Sequence, residues 1–187
     1  MVVETMEENI NVQEKNQPHS RRFFILFLVA GVLVALDQWT KWLVVQHIPL
    51  NTSWLPEWLG WLSPYARFTH IKNSGVSFGM FQDGNTILTV IVLLVVIGIV
   101  YYVYKMESSN VWMWVAAGLY LGGAVGNLID RLTIGAVTDF VSVGSFYIFN
   151  IADASINVSV AMLLILFWLD GRKPPKESEP ENEGPHE

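Results

Sequence analysis

Cysteine is absent from this chain of 187 residues, which excludes disulfide bonds, thiolate nucleophiles and cysteine metal ligands. The sequence also lacks an HExxH zinc motif, an internal repeat, and any basic block that resembles a nucleic-acid-binding surface. These absences direct attention to the groups that remain in quantity, which are apolar side chains, aromatic rings and a small set of carboxylates and amides.

The composition is that of a membrane protein, with most of the acidic residues confined to the two ends of the chain. Hydrophobic residues make up 52% of the sequence, and the mean hydropathy is +0.38. Eight tryptophans and ten phenylalanines are typical of a protein with aromatic residues at two membrane interfaces. Most of the acid behind the net charge of −6 lies in two polar tails, residues 1–20 and 171–187, which we predict to be disordered. Residues 21–170 are then a single membrane domain.

Four segments are long and apolar enough to be membrane spans, at about residues 23–45, 86–104, 111–129 and 153–169. The first resembles a secretory signal, but no A-x-A cleavage motif follows it. The third carries Gly118, Gly122 and Gly126 at a spacing of four, which favours a ridge packed against a neighbouring helix over the general frequency of glycine in membrane helices. The pattern predicts an all-α membrane protein with four transmembrane helices.

The long connection at residues 46–85 has a different composition. Trp54, Trp58 and Trp61 recur at helical spacing, which predicts a short interfacial helix, although a Trp-rich core loop fits the same spacing. Residues 66–81 contain β-favouring residues around Gly75, which predicts a small β-sheet or hairpin outside the membrane.

The distribution of lysine and arginine predicts the orientation. With four spans, both tails and the 105–110 turn share one side, and that side holds seven basic residues. The other side holds four, namely Lys41, Arg67, Lys72 and Arg131. We therefore expect both termini in the cytoplasm and the 46–85 connection, an extracytoplasmic loop, on the outer side.

Several polar residues within or at the ends of the spans all lie toward that outer side: Asp37, Lys41, Asn127, Asp130, Arg131, Asp139, Asn150 and Asp153. Asp37 and Lys41 are spaced i, i+4 and can neutralise each other, while Asp130 and Arg131 fit charges where a span meets water. Asp139 and Asp153, beside or within the last span, are harder to explain, because an aspartate in mid-span costs about 2.5–3.5 kcal/mol. Only Lys41 and Arg131 are nearby cations. Structural ion pairing remains the alternative for each acid.

Sharing one proton would relieve a surplus of carboxylate. Such a pair activates a water and donates to the developing oxyanion, which is aspartic-peptidase chemistry without a metal, a cofactor or a covalent intermediate. A proton-coupled transporter also needs membrane carboxylates, but the absence of a repeat argues against it. A structural assembly subunit with Asp residues in inter-subunit pairs is a third possibility. His47 and His70 are isolated and predicted to be interfacial or structural.

Five motifs in order resemble the bacterial lipoprotein signal peptidase family, also called signal peptidase II. They are DQWTK at 37–41, NSGVSFG at 73–79, GGAVGNLIDR at 122–131, VTDF at 137–140 and FNIAD at 149–153. The resemblance covers about residues 22–170. Thr138 and the Val76-Ser77 pair depart from the family's usual residues without removing a functional group.

The resemblance implies that Asp139 and Asp153 are the catalytic dyad. It implies these substrate-binding or supporting residues: Asp37, Lys41, Asn73, Gly75, Asn127, Arg131, Asn150 and Ala152. The implied substrate is a prolipoprotein, cleaved just before a diacylglyceryl-modified cysteine. Membrane lipids and peptide inhibitors in the active-site groove are further expected partners, with no nucleic acid, metal or cofactor. The expected location is the bacterial cytoplasmic membrane, with the active site at the outer face.

Overall fold

Four long helices form the body of the protein. The computed structural model describes residues 19–75, 84–106, 108, 110–144 and 147–172. The helices are α1 (His19–His47), α2 (Gly84–Lys105), α3 (Val111–Thr133) and α4 (Ile151–Asp170). Each is long and apolar enough to cross a membrane, and each contains one of the predicted spans.

The two tails predicted to be disordered fall mostly on residues 1–18 and 173–187, which lie outside the described residues. At the first boundary the structure differs slightly from the prediction, because α1 begins at His19 and residues 19–20 are already helical.

A four-stranded antiparallel sheet lies at one end of the helices. Its strands are β1 (Ser53–Trp54), β2 (Ala66–Asn73), β3 (Val137–Val143) and β4 (Tyr147–Phe149), in spatial order β1-β2-β3-β4. The predicted sheet is therefore present, but β2 pairs with β1 and β3 rather than within a hairpin of its own. Residues 76–83 lie outside the described part of the chain.

Strand β3 carries the first aspartate. Asp139 was expected beside or within a membrane span, and it lies beside the spans, on the connection between α3 and α4, where it pairs with Ile71 of β2. The pairing brings the loop between α1 and α2 against the loop between α3 and α4. Two connections that are distant in sequence thus build one surface.

The tryptophan-rich segment is only partly helical. A 3₁₀ helix spans Glu57–Leu62 and includes Trp58 and Trp61, whereas Trp54 lies on β1. Trp58 is 77% exposed and Trp61 is 71% exposed, so the Trp-rich core loop is wrong. Exposed indole rings beside membrane helices are typical of the water–lipid interface.

The predicted glycine ridge on α3 is confirmed by its fit against α1. A Cβ atom added at Gly118 would lie 2.8 Å from the Leu26 carbonyl oxygen, and one added at Gly122 would lie 2.9 Å from the Ala30 carbonyl oxygen. Both atoms belong to the α1 backbone, which therefore approaches α3 without intervening side chains.

The ridge continues into the polar part of the bundle. A Cβ atom at Gly126 would lie 2.7 Å from an Asp37 carboxylate oxygen, so this glycine leaves room for a buried acid. Gly123, which the spacing argument did not include, packs against α4, where an added Cβ would lie 2.6 Å from the Ala152 carbonyl oxygen. Helix α3 therefore uses small residues on two faces.

We expect Gly122→Ala to lower the free energy of unfolding by about 1–3 kcal/mol, because the added methyl group meets backbone rather than a movable side chain. Gly98→Ala on α2 is the matched control, since nothing lies within 4 Å of its added Cβ. Thermal unfolding of both variants in one detergent tests the difference. Equal shifts in the two variants would contradict close packing at the ridge.

Candidate active site

Asp139 and Asp153 come from different elements and meet at Asn150. Asn150 Nδ2 donates a hydrogen bond of 2.8 Å to Asp139 Oδ1. The backbone N–H of the same asparagine donates to Asp153 Oδ2 at 3.2 Å. One fully buried residue therefore holds both carboxylates that the sequence singled out.

Helix capping explains how Asn150 and Asp153 come to lie together. Asn150 is the N-cap of α4, and its Oδ1 accepts the Asp153 backbone N–H at 2.9 Å while the Asp153 carboxylate accepts the Asn150 N–H in return. This reciprocal capping box places the Asp153 carboxylate at the positive end of the helix.

Asn73 holds the other side of Asp139. Its Nδ2 donates to Asp139 Oδ2 at 2.8 Å, and its Oδ1 accepts the Gly75 backbone N–H at 2.8 Å. Gly75 has a φ of 76°, a left-handed conformation that favours glycine. The turn at Gly75 therefore orients the Asn73 amide with its nitrogen toward the carboxylate.

Asn127 connects Asp153 to the interior of the bundle. Its Nδ2 donates to Asp153 Oδ1 at 2.8 Å. Its Oδ1 accepts from Lys41 Nζ at 3.2 Å and from Asn150 Nδ2 at 3.1 Å. The amide oxygen of Asn127 thus accepts from two donors, and its nitrogen donates to one acceptor. These three hydrogen bonds fix the orientation of the amide.

Lys41 forms its ion pairs with the acids beneath the dyad. Lys41 Nζ lies 2.8 Å from Asp37 Oδ2, which confirms the predicted i, i+4 pair, and 3.1 Å from Asp130 Oδ2. Asp37 Oδ1 also accepts the Ala152 backbone N–H at 3.0 Å. Lys41 thus supports Asn127 and neutralises Asp37 and Asp130, while the hydrogen bonds described for the dyad come from amides and backbone.

Asp130 and Gln38 are network residues that sequence reasoning missed. Asp130 was expected to be a charge at a water-facing loop start, but it is only 4% exposed. Gln38 Nε2 donates to Asp130 Oδ1 at 3.0 Å, and the Thr138 backbone N–H donates to Asp130 Oδ2 at 2.9 Å. Asp130 therefore anchors β3 one residue before Asp139. Gln38 lies inside the DQWTK motif and Asp130 inside GGAVGNLIDR, and these positions in the sequence could have identified both as site residues.

Arg131 lies at the edge of this network. Its Nη1 donates to the Asn127 carbonyl oxygen at 3.4 Å, and its charge acts on Asp139 and Asp153. Its Nε is buried and has no hydrogen-bond partner among the residues that the structure describes. Buried donors are usually paired, so this nitrogen is a candidate for contact with a bound substrate.

The electrostatics of the site make Asp139 easier to protonate than an ordinary aspartate. Burial and, less strongly, the charge of Asp153 raise its pKa, while hydrogen bonds from Asn73 and Asn150 and the charge of Lys41 lower it, and the net result is a pKa of about 6. Among the described residues, no group of three or more histidine or acidic side chains is arranged to hold a metal ion.

All ten predicted site residues belong to this network or adjoin it.

Thr138 and the Val76-Ser77 pair are the residues that depart from the family's usual pattern. Thr138 is buried and uses its backbone N–H rather than its side chain to hold Asp130. The Val76-Ser77 pair lies outside the described residues.

Comparison with known proteins gives a consistent result. The model of the family described as signal peptidase (SPase) II matches residues 29–169. The chain is 40% identical over 157 residues to a lipoprotein signal peptidase of Halalkalibacterium halodurans, covering 82% of this chain and 97% of that protein. It is 36% identical over 157 residues to a lipoprotein signal peptidase of Bacillus subtilis, covering 82% and 99%.

Two similar solved structures are described as bacterial membrane enzymes. One aligns with a TM-score of 0.71 at 29% identity, covering 82% of this chain and 93% of that one. The other aligns with a TM-score of 0.70 at 31% identity, covering 78% and 93%. The similarity therefore extends over nearly the whole of both known folds.

Proposed function

This chain belongs to the signal peptidase II family, and from that premise we propose that it is an aspartic endopeptidase acting on lipidated precursors. It is a multi-pass membrane peptidase of lipoprotein processing. In the proposal, Asp139 and Asp153 activate a water that cleaves a prolipoprotein just before its diacylglyceryl-modified cysteine. The observation that carries the proposal is that Asn150 donates a hydrogen bond to each carboxylate, from Nδ2 to Asp139 and from its backbone N–H to Asp153.

The proposed reaction starts with Asp139 protonated and Asp153 ionised. Asp153 takes a proton from the water as the water oxygen bonds to the peptide carbonyl carbon, and Asp139 gives its proton to the carbonyl oxygen. Asp153 then passes its proton to the peptide nitrogen as the C–N bond breaks, and one hydroxyl of the intermediate returns a proton to Asp139. Both carboxylates end in their starting states.

The environments of the two acids support this division of roles. Asp139 is 2% exposed and its pKa is raised to about 6, which makes the neutral acid far more populated near neutral pH than it is in an ordinary aspartate. Asp153 accepts hydrogen bonds from Asn127 and Asn150 at the start of α4, which favours the anion. A pair of carboxyls held in different environments separates into an acid and a base.

The substrate is proposed to enter laterally from the bilayer, because both its signal peptide and its diacylglyceryl group are apolar. Arg131 Nε, which is buried without a hydrogen-bond partner among the described residues, and the Asn73 amide beside Asp139 are proposed to bind backbone carbonyls of an extended peptide. The 3₁₀ helix, with Trp58 and Trp61 exposed, is proposed as a cover over the bound chain. In this proposal both termini are cytoplasmic and the site is at the outer face.

The proposal is tested with purified protein and two versions of one precursor, with and without the diacylglyceryl group. We expect a single cut before the modified cysteine, none in the unmodified precursor, and inhibition by a peptide whose hydroxyl mimics the tetrahedral intermediate. Equal cleavage of both precursors would overturn the lipid requirement.

Residues 75–79 read Gly-Val-Ser-Phe-Gly, which also has the spacing of a serine nucleophile elbow. The aspartic proposal predicts that Ser77→Ala still cleaves the lipidated precursor and that a serine-directed reagent does not inhibit the parental protein. Loss of cleavage in both experiments would replace the aspartic mechanism with a serine mechanism.

The pH dependence of cleavage follows from the pKa of Asp139. Because the acid must carry a proton at the start, kcat/KM should fall as pH rises through about 6, by about tenfold per unit well above it. The Asn73 hydrogen bond lowers this pKa, so its removal in Asn73→Ala should shift the descending limb to higher pH, by about one unit. The measurement is kcat/KM as a function of pH for the parental protein and for Asn73→Ala. A shift of the descending limb to lower pH in the variant would contradict the assignment of Asp139 as the acid.

A further inference from the structure

An apolar groove runs along the sheet-bearing end of α1, outside the network of the dyad. Its volume is about 530 Å³. Leu43, Val44 and Ile48 form one wall. The stacked rings of Trp54 and Phe68, with centroids 6.3 Å apart, lie in the opposite wall. Grooves of this size and composition are typical of sites for apolar ligands.

The polar residues in the lining do not require a polar ligand. The Thr40 hydroxyl donates to the Leu36 carbonyl oxygen at 2.8 Å. His47 Nδ1 lies 2.8 Å from the Leu43 carbonyl oxygen. Since these groups already have partners within α1, the favourable occupant is one that replaces water against hydrocarbon surface.

Exposed apolar side chains of α1 lie on the same helix face as the groove. Leu36 and Trp39, which are exposed, lie seven and four residues before Leu43 and thus on the same helix face. From Thr40 to its last residue, His47, the helix rises about 10 Å. That length fits within one leaflet, which is about half of a hydrocarbon core of roughly 30 Å.

Phe140 separates this groove from the reaction centre. It lies on β3 directly after Asp139, and successive strand side chains project to opposite faces. Accordingly, Phe140 packs with Val44 and Ile48, whereas Asp139 bonds Asn73 and Asn150. A lipid attached to the residue at the dyad would have to pass around the strand to reach the groove.

We propose that this groove binds one acyl chain of a bilayer phospholipid, which fills the space between α1 and the sheet and supports Phe140 on the far side of the catalytic strand. The phospholipid is a resident ligand rather than a substrate. The proposal does not depend on the aspartic mechanism, because it rests on the groove and the membrane-facing helix alone.

The test uses full-length protein, washed free of lipid in detergent and titrated with phosphatidylglycerol, with bound lipid counted by native mass spectrometry. Leu43→Phe narrows the groove. If it excludes two methylene groups, lipid retention should fall about 15-fold, at about fourfold per methylene. Leu94→Phe on α2, at a side chain that is 62% exposed and outside the groove, is the matched control and should retain lipid like the parent. Equal retention in the two variants would overturn the proposal.

A second measurement uses only the parental chain and so does not depend on the folding of a variant. Affinity for phosphatidylglycerols of increasing chain length should rise about fourfold per methylene and level off when the groove is full. No dependence on length rules the site out. Displacement of the phospholipid by a diacylglyceryl lipopeptide, but not by the same peptide without lipid, would assign the groove to the substrate instead.

Discussion

Asp139→Asn and Asp153→Asn are each expected to lower cleavage of a lipidated precursor by about 10³-fold or more, because one variant loses the acid and the other loses the base. Asparagine keeps nearly the same shape and can still accept hydrogen bonds through its oxygen. Both variants should therefore insert and fold. Initial cleavage rates, normalised to folded protein from size-exclusion chromatography, measure the effect.

Asp170→Asn is the matched control for these two variants. Asp170 is an exposed carboxylate at the last residue of α4, at the opposite end of that helix from Asp153, and its neutralisation should leave the rate near the parental value. Cleavage by either dyad variant at close to the parental rate, with the control variant also near that rate, would show that Asp139 and Asp153 are not the catalytic acid and base. Loss of folded protein in a dyad variant would instead indicate a structural role.

Lys41→Met is expected to lower the free energy of unfolding by about 3–5 kcal/mol, the range typical of breaking a buried ion pair by removal of one partner. Lys41 is buried, and its ammonium group lies within 3.1 Å of both Asp37 and Asp130. Methionine fills similar space but leaves two carboxylates uncompensated. Thermal or denaturant unfolding in detergent gives the measurement.

Neutralising the acids in the same chain supplies the control. Adding Asp37→Asn and Asp130→Asn to Lys41→Met should recover most of the lost stability, since amide oxygens still accept the backbone N–H groups of Ala152 and Thr138. Asp37→Ala alone should lower the free energy of unfolding less than Lys41→Met does, because Lys41 still forms its ion pair with Asp130. This variant should also reduce protein yield and substrate affinity more than turnover. A Lys41→Met protein within about 1 kcal/mol of the parent would exclude a structural role for this ion cluster.

The four helices were predictable because a membrane span is a local property. A run of about twenty apolar residues satisfies its own backbone and suits the lipid around it, whatever the rest of the chain does. The glycine spacing on α3 was similarly informative, since a four-residue period places small residues on one helix face. Their position beside an apolar segment singled out the two aspartates, and the resemblance of five motifs added the supporting amides.

Strands β3 and β4 were not predictable in the same way. Val137–Val143 is a short, mostly apolar segment close to a span, and neither its length nor its composition distinguishes a strand from a helix end. It becomes a strand because β2, more than sixty residues earlier, supplies the backbone partners, with a register shift between Phe68 and Ile71. That pairing places Asp139 next to Asn73.

The chain's own pattern of apolar runs, small residues and buried acids was enough to establish a four-span membrane protein with an unusual excess of carboxylate. Tertiary contacts decided the rest: Lys41 neutralises Asp130 as well as Asp37, Asn150 bonds both carboxylates of the dyad, and the pKa of Asp139 is raised. The physical reason is that hydrophobicity and helical periodicity act over neighbouring residues, whereas the charge state of a buried acid depends on every group that folding brings near it.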